Sequence, residues 1–385
     1  MSATLPFLEK LLQVLSQGGF SATYKYAVLL ALIDLCLEKG YPPDSVTTVE
    51  LARRVVELYW PQTRGFPRSG DRALRRADEL VVLRQNSGKH ATITSLIRDY
   101  QDTHADELSP PEPKLSPAAK ALYEEVEWVL VTYPLPRLQR VGGEIEEFLY
   151  RINWDEGVSR RLFNAYKRND APLFQEQGFD NQIRFVYGAS EALIALSSVL
   201  RPLIQQYWLA RVRRFNDLPE AYLEEFMFGA DRARLNKLRA PLRDLQAGAC
   251  FYCKGALDPK PQVDHFMPWA RYPDDGLDNL VLAHATCNRD KLHYLADLDF
   301  AQRWAERRQR PELEEIARDL SWPRDSKRTF NVVAGVYQGV PEGVRLWGGL
   351  KALRRVSTDD LPRVHDFGRR LLSEAAPPHG GPAPG

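Results

Sequence analysis

Cysteine and methionine are scarce in this chain, at four and three among 385 residues. Four cysteines cannot staple a chain this long, which excludes a disulfide framework and leaves the thiols for metal binding or burial. Neither sign of charge predominates. Lys and Arg number 52 against 51 Asp and Glu, so a surface for a polyanion has to come from local clustering. No apolar run reaches the ~20 residues that cross a bilayer, and the longest, Tyr26 to Leu37, falls short of that. The opening Met-Ser-Ala-Thr-Leu-Pro has neither the basic patch nor the apolar stretch of a secretory signal, so the expected setting is cytoplasmic, with no membrane partner. A Walker loop, a dinucleotide-binding glycine fingerprint and internal repeats are also absent, which sets aside three common enzyme and solenoid classes.

What is present is an apolar fraction of 44%, enough to fill ordinary cores in two or three domains. Apolar residues recur at helical spacing through Leu8, Leu11, Leu12 and Leu15, through Tyr26 to Leu37, and through Leu51, Val55, Val56 and Tyr59. This predicts a helical N-terminal domain over residues 1–103. Four prolines and three acidic residues between His104 and Pro117 predict a linker at 104–117. Helical stripes at Leu122 to Tyr133, Ile145 to Ile152, Val158 to Tyr166 and Ile194 to Val212 predict a second helical domain over 118–246. Residues 301–374 read as a C-terminal extension, helical through Trp304 and Ile316. The Pro- and Gly-rich 375–385 read as a disordered tail. The fold class expected is therefore mainly α and multidomain.

Arginines gather ahead of the first cysteine pair. Arg232, Arg239 and Arg243 would share one helix side, with Leu235, Leu238, Leu242 and Leu245 on another, provided Pro241 only bends the helix. A charge run is most often a solvated face. The alternative is that Arg239 and Arg243 present planar forks to phosphate oxygens.

The richest segment begins at Cys250-Phe-Tyr-Cys253 and ends at His284-Ala-Thr-Cys287. Two pairs, each with two residues between its members, aim four ligands at one tetrahedral Zn²⁺, because each short turn converges two side chains on a point. Four protein ligands close the coordination shell, so this zinc would be structural. Its work would be to clamp the intervening loop, which is too short to be held by burial alone. Cys36, in an apolar helix, reads as an inert buried thiol.

Inside the clamp lie Val263-Asp264-His265-Phe266-Met267-Pro268-Trp269, Leu277-Asp278-Asn279-Leu280-Val281-Leu282, and Cys287-Asn288-Arg289-Asp290-Lys291. A cysteine pair, an Asp-His-x-x-Pro step, a central Asn before an apolar strand and a final Cys-Asn-x-x-Lys together resemble the HNH (ββα-metal) endonucleases with a zinc knuckle. The resemblance covers about residues 248–295 and implies a nuclease domain over 247–300. Phosphodiester cleavage needs a water stripped of its proton, positive charge at the phosphate and firm positioning. His265, with an intrinsic pKa of ~6.5, suits the proton transfer, and Asp264 suits a hard cation. By resemblance, Asp264 and Asn288 would bind catalytic Mg²⁺ or Mn²⁺, and His265 would be the general base. Asn279 would tie down the loop, Arg289 and Lys291 would touch flanking phosphates, and Thr286 would cap the helix that carries Asn288. Asn288 stands where the simplest pattern has His.

Taken singly, Asp264 reads as a cap, His265 as a hydrogen-bonded core ring and Asn279 as a turn residue. Their joint presence within one zinc clamp is what favours catalysis. Phe251, Tyr252 and Trp269 read as core. Phe-Tyr-Cys, Asp-His-Phe-x-Pro-Trp and Asn-Leu-Val-Leu-Ala-His further resemble HNH proteins of bacterial restriction and anti-phage defence. That implies DNA as substrate, a helical N-terminal part that senses or binds, and a partner such as an ATPase. Two rival readings are a zinc nucleic-acid-binding module without catalysis and an RNase toxin on the same site.

Overall fold

A computed structural model describes residues 4–16, 21–67, 80–88, 91–105, 109–112, 116–169, 179–217, 223–230 and 232–375. The chain is mainly helical with little sheet and divides into two compact units, Met1–Leu35 with Pro43–Gly229, and Cys36–Pro42 with Ala230–Gly385.

The helix Tyr24–Lys39, which belongs to the first unit as far as Leu35, is buried all round from Tyr26 to Leu37, which makes it a core helix. Asp34 is the one acidic residue in that buried stretch. Its carboxylate is matched by Arg54 Nε at 2.8 Å and by Arg201, both themselves buried, so the charge is compensated inside the core. The helix Thr48–Tyr59 starts at a capping box, with Thr47 and Glu50 exchanging side-chain to backbone bonds. Pro117–Thr132 starts with Ser116 as N-cap and Pro117 in its first turn.

Of the two domains expected over 1–103 and 118–246, residues 1–35, 43–103 and 118–229 fall in this one unit. The Pro117–Thr132 helix packs on Thr48–Tyr59 and Thr92–Thr103. Gln182–Phe185 is the middle strand of an antiparallel three-stranded sheet, between Ser45–Thr47 and Tyr150–Arg151. Pairs such as Val46 with Ile183 close over a long sequence separation, which helical periodicity does not report. Pro202 lies inside a continuous helix, Ala189–Asn216. Among the described residues no helix is long and apolar enough to cross a membrane.

The second unit opens with three short pieces, Arg232–Leu235, Asn236–Leu238 and Arg239–Leu245, rather than one bent helix. Pro241 falls in the first turn of the last piece, where its missing N–H costs nothing. Leu235, Leu238 and Leu242 are buried as the spacing predicts. A small antiparallel hairpin and a helix follow, and then the helices Leu298–Glu306, Glu312–Asp319, Ser326–Gln338 and Leu361–Ala375, with a second hairpin before the last.

Residues 301–374 share one core with the segment before them. Phe266 stacks on Trp304 (centroids 4.8 Å apart), Trp304 on Phe330 (4.5 Å), and Tyr252 meets Trp347 edge-on (4.9 Å). Gly40, at φ +76°, brings its backbone close to Gly335, where an added Cβ would meet Gly40 Cα at 3.3 Å. Of residues 375–385, expected to be a disordered tail, Ala375 ends the helix Leu361–Ala375 and 376–385 lie outside the described residues.

Candidate functional site

The first cysteine pair is shaped by backbone that side chains rarely adopt. Lys254, at φ +63°, turns the chain so that Cys250 N donates to Gly255 O at 2.8 Å, bringing Cys253 back beside Cys250. His284 sits at the N-cap of the helix Ala285–Lys291, and Cys287 lies in its first turn. The ligand atoms of Cys250, Cys253, His284 and Cys287 all lie within 4.8 Å of one another. Tetrahedral zinc with Zn–S of about 2.3 Å needs sulfurs about 3.8 Å apart, well inside that cluster.

His284 Nδ1 is 3.3 Å from Cys253 Sγ, while Nε2 donates to Ala256 O at 2.9 Å. That donation fixes the tautomer and leaves the Nδ1 lone pair for a metal. It is also the first cause of a raised His284 basicity. The Cys287 thiol is pushed up to about 12 by burial and then by the negative charge of Cys250 and Cys253. Three thiols this close ionise together only around a cation, so the donor set fits Zn²⁺.

The strand Gln262–His265 pairs antiparallel with Leu280–Ala283, running from Gln262 opposite Ala283 to His265 opposite Leu280. Alternation puts Gln262 and Asp264 on one face and Val263 and His265 on the other. On the first face Asp264 is buried. Its Oδ2 accepts from Tyr252 Oη at 2.6 Å and pairs with Lys291 Nζ at 3.1 Å. Asn288 Nδ2 donates to Gln262 Oε1 at 2.9 Å. Asn288 and Lys291, one turn apart, thus bring their side of the helix to the Asp264 face. Among the described residues no hydrogen bond reaches Asp264 Oδ1 or Asn288 Oδ1, so each keeps one oxygen for another partner.

On the second face His265 Nε2 lies 2.8 Å from Asp275 Oδ1, and the ring sits 5.0 Å from that of Trp269. Asn279 is fully buried. Its Oδ1 accepts from Met267 N at 2.7 Å and its Nδ2 donates to Asp274 O at 3.0 Å, pinning both sides of the loop between the strands.

Sequence reasoning missed Asp275 and the role of Tyr252. The Pro273-Asp274-Asp275-Gly276 run reads as turn residues, and nothing local says that one carboxylate reaches an imidazole ten residues back. It also missed how much of the site's frame comes from beyond residue 300. Arg303 donates to the carbonyls of Phe251 (2.8 Å) and Tyr252 (3.1 Å), Trp304 Nε1 to Asp278 O (2.8 Å), Arg307 to Leu280 O (2.8 Å), and Trp322 Nε1 to Asp275 O (2.7 Å). Burial lowers the Arg307 guanidinium to about 10, against the pull of Asp278. Burial raises the Tyr252 phenol well above its ordinary value, and the neighbouring Asp264 carboxylate adds to the rise.

Several expected contacts are placed differently. Lys291, expected at a flanking phosphate, is fully buried, with its ammonium on Asp264 and on His265 O at 2.8 Å. The closing of the helix against the strand turns it inward. Thr286 is not the N-cap, because the helix begins at Ala285 and His284 holds that position. Arg243 spends one nitrogen on Asp258 O at 2.7 Å, tying its helix to the loop inside the clamp, and Arg239 is half-buried. Arg289 is exposed. Phe251 and Tyr252 are core, and Trp269 is half-buried.

An antiparallel hairpin followed by a helix, joined by a Cys3His cluster able to hold zinc and with Asp-His closing the first strand, has the architecture of a ββα-metal domain. Residues 250–296 match the HNH endonuclease family. No curated protein and no solved structure matches the chain.

Proposed function

We propose that this chain is a metal-dependent endonuclease that hydrolyses DNA phosphodiester bonds, working in bacterial restriction or anti-phage defence from the cytoplasm. In this reading the unit ending at Gly229 senses or binds DNA or a partner such as an ATPase. The nuclease assignment is carried by one arrangement. His265 is held on one face of the strand end by Asp275, and on the other face Asp264 and Asn288 each keep an oxygen unspent.

With Nε2–H donated to Asp275, His265 keeps Nδ1 unprotonated to accept a proton from water. The water oxygen bonds to phosphorus as the bond to the leaving ester oxygen breaks. Asp275 then faces the imidazolium that forms, and the favourable ion pair lowers the cost of that charge. Asp264 and Asn288 are hard oxygen donors fitted to Mg²⁺ or Mn²⁺. The ion would supply positive charge at the phosphate. Cys250, Cys253, His284 and Cys287 would hold the structural Zn²⁺, and Asn279 would keep the loop shaped around His265.

The test is plasmid cleavage with Mg²⁺ or Mn²⁺ by wild type and His265→Ala, with an RNA substrate alongside. Wild type should nick or linearise the plasmid, and the variant should be slower by about 100-fold or more. Absence of cleavage by both on every substrate would favour the binding module, and cleavage of RNA alone would favour the toxin.

A further inference from the structure

The second hairpin, Arg345–Gly349 with Ala352–Arg355, carries Arg345, Lys351, Arg354 and Arg355 and no acidic residue. Arg354 is neutralised by Asp297 at 2.8 Å and Asp360 at 3.0 Å. Arg345 and Arg355 are different. They stand directly opposite each other across the ladder, both are exposed, and among the described residues neither has a carboxylate partner. Like charges opposed on a ladder destabilise it, so this pairing is one that an anion would relieve.

The hairpin is also fixed to the nuclease helix. Asp290, between Arg289 and Lys291, accepts from Trp347 Nε1 at 2.7 Å and from Lys351 N at 2.9 Å. At the turn, Leu350 is 53% exposed and Lys351 is exposed. The arginine pair lies four or more residues from that turn, about 14 Å at ~3.4 Å per residue. A nucleic-acid strand presents one phosphate per ~3.4 Å of helix axis, so the hairpin is long enough to follow about four of them.

We infer that this hairpin is a docking ribbon for the sugar–phosphate backbone of the duplex that the adjoining site cuts, with Arg345 and Arg355 side by side on phosphates. Their planar forks suit bidentate phosphate contact. The inference rests on the nuclease reading above for its substrate, but its test reads binding without cutting.

The test uses the full chain carrying His265→Ala, a fluorescein-labelled DNA duplex and no Mg²⁺, with affinity measured by anisotropy across a salt series. Replacing Arg345, Lys351 and Arg355 by Gln should weaken binding and shrink the slope of log K against log salt by about 2.7, at ~0.9 for each phosphate no longer neutralised. A matched Arg318→Gln, Lys327→Gln, Arg363→Gln variant should keep the parent slope. Equal slopes in all three proteins would overturn the ribbon. Zinc content and Tm report whether the triple variant folds. Should it not, a photo-crosslinking residue at Leu350 decides, with labelling of the duplex from Leu350 but not from Leu320 expected and no labelling from Leu350 refuting it. Ribbon-dependent binding by a chain that never cleaves would sink the nuclease reading and leave the ribbon standing.

Discussion

Asp275 Oδ1 lies 2.8 Å from His265 Nε2, and the backbone carbonyl of Asp275 is itself held by Trp322 Nε1 at 2.7 Å. The imidazole is thus oriented by a carboxylate whose position depends on a residue beyond the nuclease segment. Asp275→Asn should lower kcat by about 10- to 100-fold, the usual scale for a group that orients a working side chain. KM and Mn²⁺ affinity should hold, and Asp275→Glu should recover part of the loss. A matching rise in KM, or loss of Mn²⁺ binding, would mean that the residue merely props the loop.

The zinc clamp and the proton-accepting imidazole should separate cleanly. Cys253→Ser is expected to lose zinc and lower Tm by several degrees, because structural zinc binding is folding free energy. His265→Ala should keep zinc content and Tm near the parent values while cleavage collapses. Zinc assay and calorimetry on the two variants check this, and equal losses of stability would refute it.

Lys291→Met should destabilise the chain by about 3–5 kcal/mol, since it strips the buried Asp264 of its cation. A lysine acting only at a flanking phosphate would leave denaturant midpoints unchanged and weaken DNA binding instead. Urea unfolding distinguishes the two.

A chain stopped at residue 300 should not form a stable nuclease domain. It would lack Trp304 between Phe266 and Phe330, along with the guanidiniums that hold the carbonyls of Phe251, Tyr252 and Leu280. Thermal unfolding and zinc retention of residues 1–300 against 1–375 measure this. A zinc-loaded 1–300 chain that unfolds like the longer one would show that the later helices are dispensable.

The parts legible in the sequence were those whose determinants are local. A Cys-x-x-Cys turn and a His-x-x-Cys helix start converge their ligands within a few residues, so the cluster of Cys250, Cys253, His284 and Cys287 could be read from spacing. Helical stripes likewise marked Leu51, Val55 and Tyr59 as core, because a period of 3.6 is a property of one element. Asp264 and His265 fall on opposite strand faces for the same reason.

Only the tertiary structure decided which side chains meet across long separations. Asp275 on His265, Lys291 turned onto Asp264, Asp290 holding Trp347 of a later hairpin, and the union of 43–103 with 118–229 each depend on how elements pack. Spacing in the chain states which groups share an element's face. It does not state which other element that face will bury, because burial is settled by the sum of many weak apolar contacts over the whole unit.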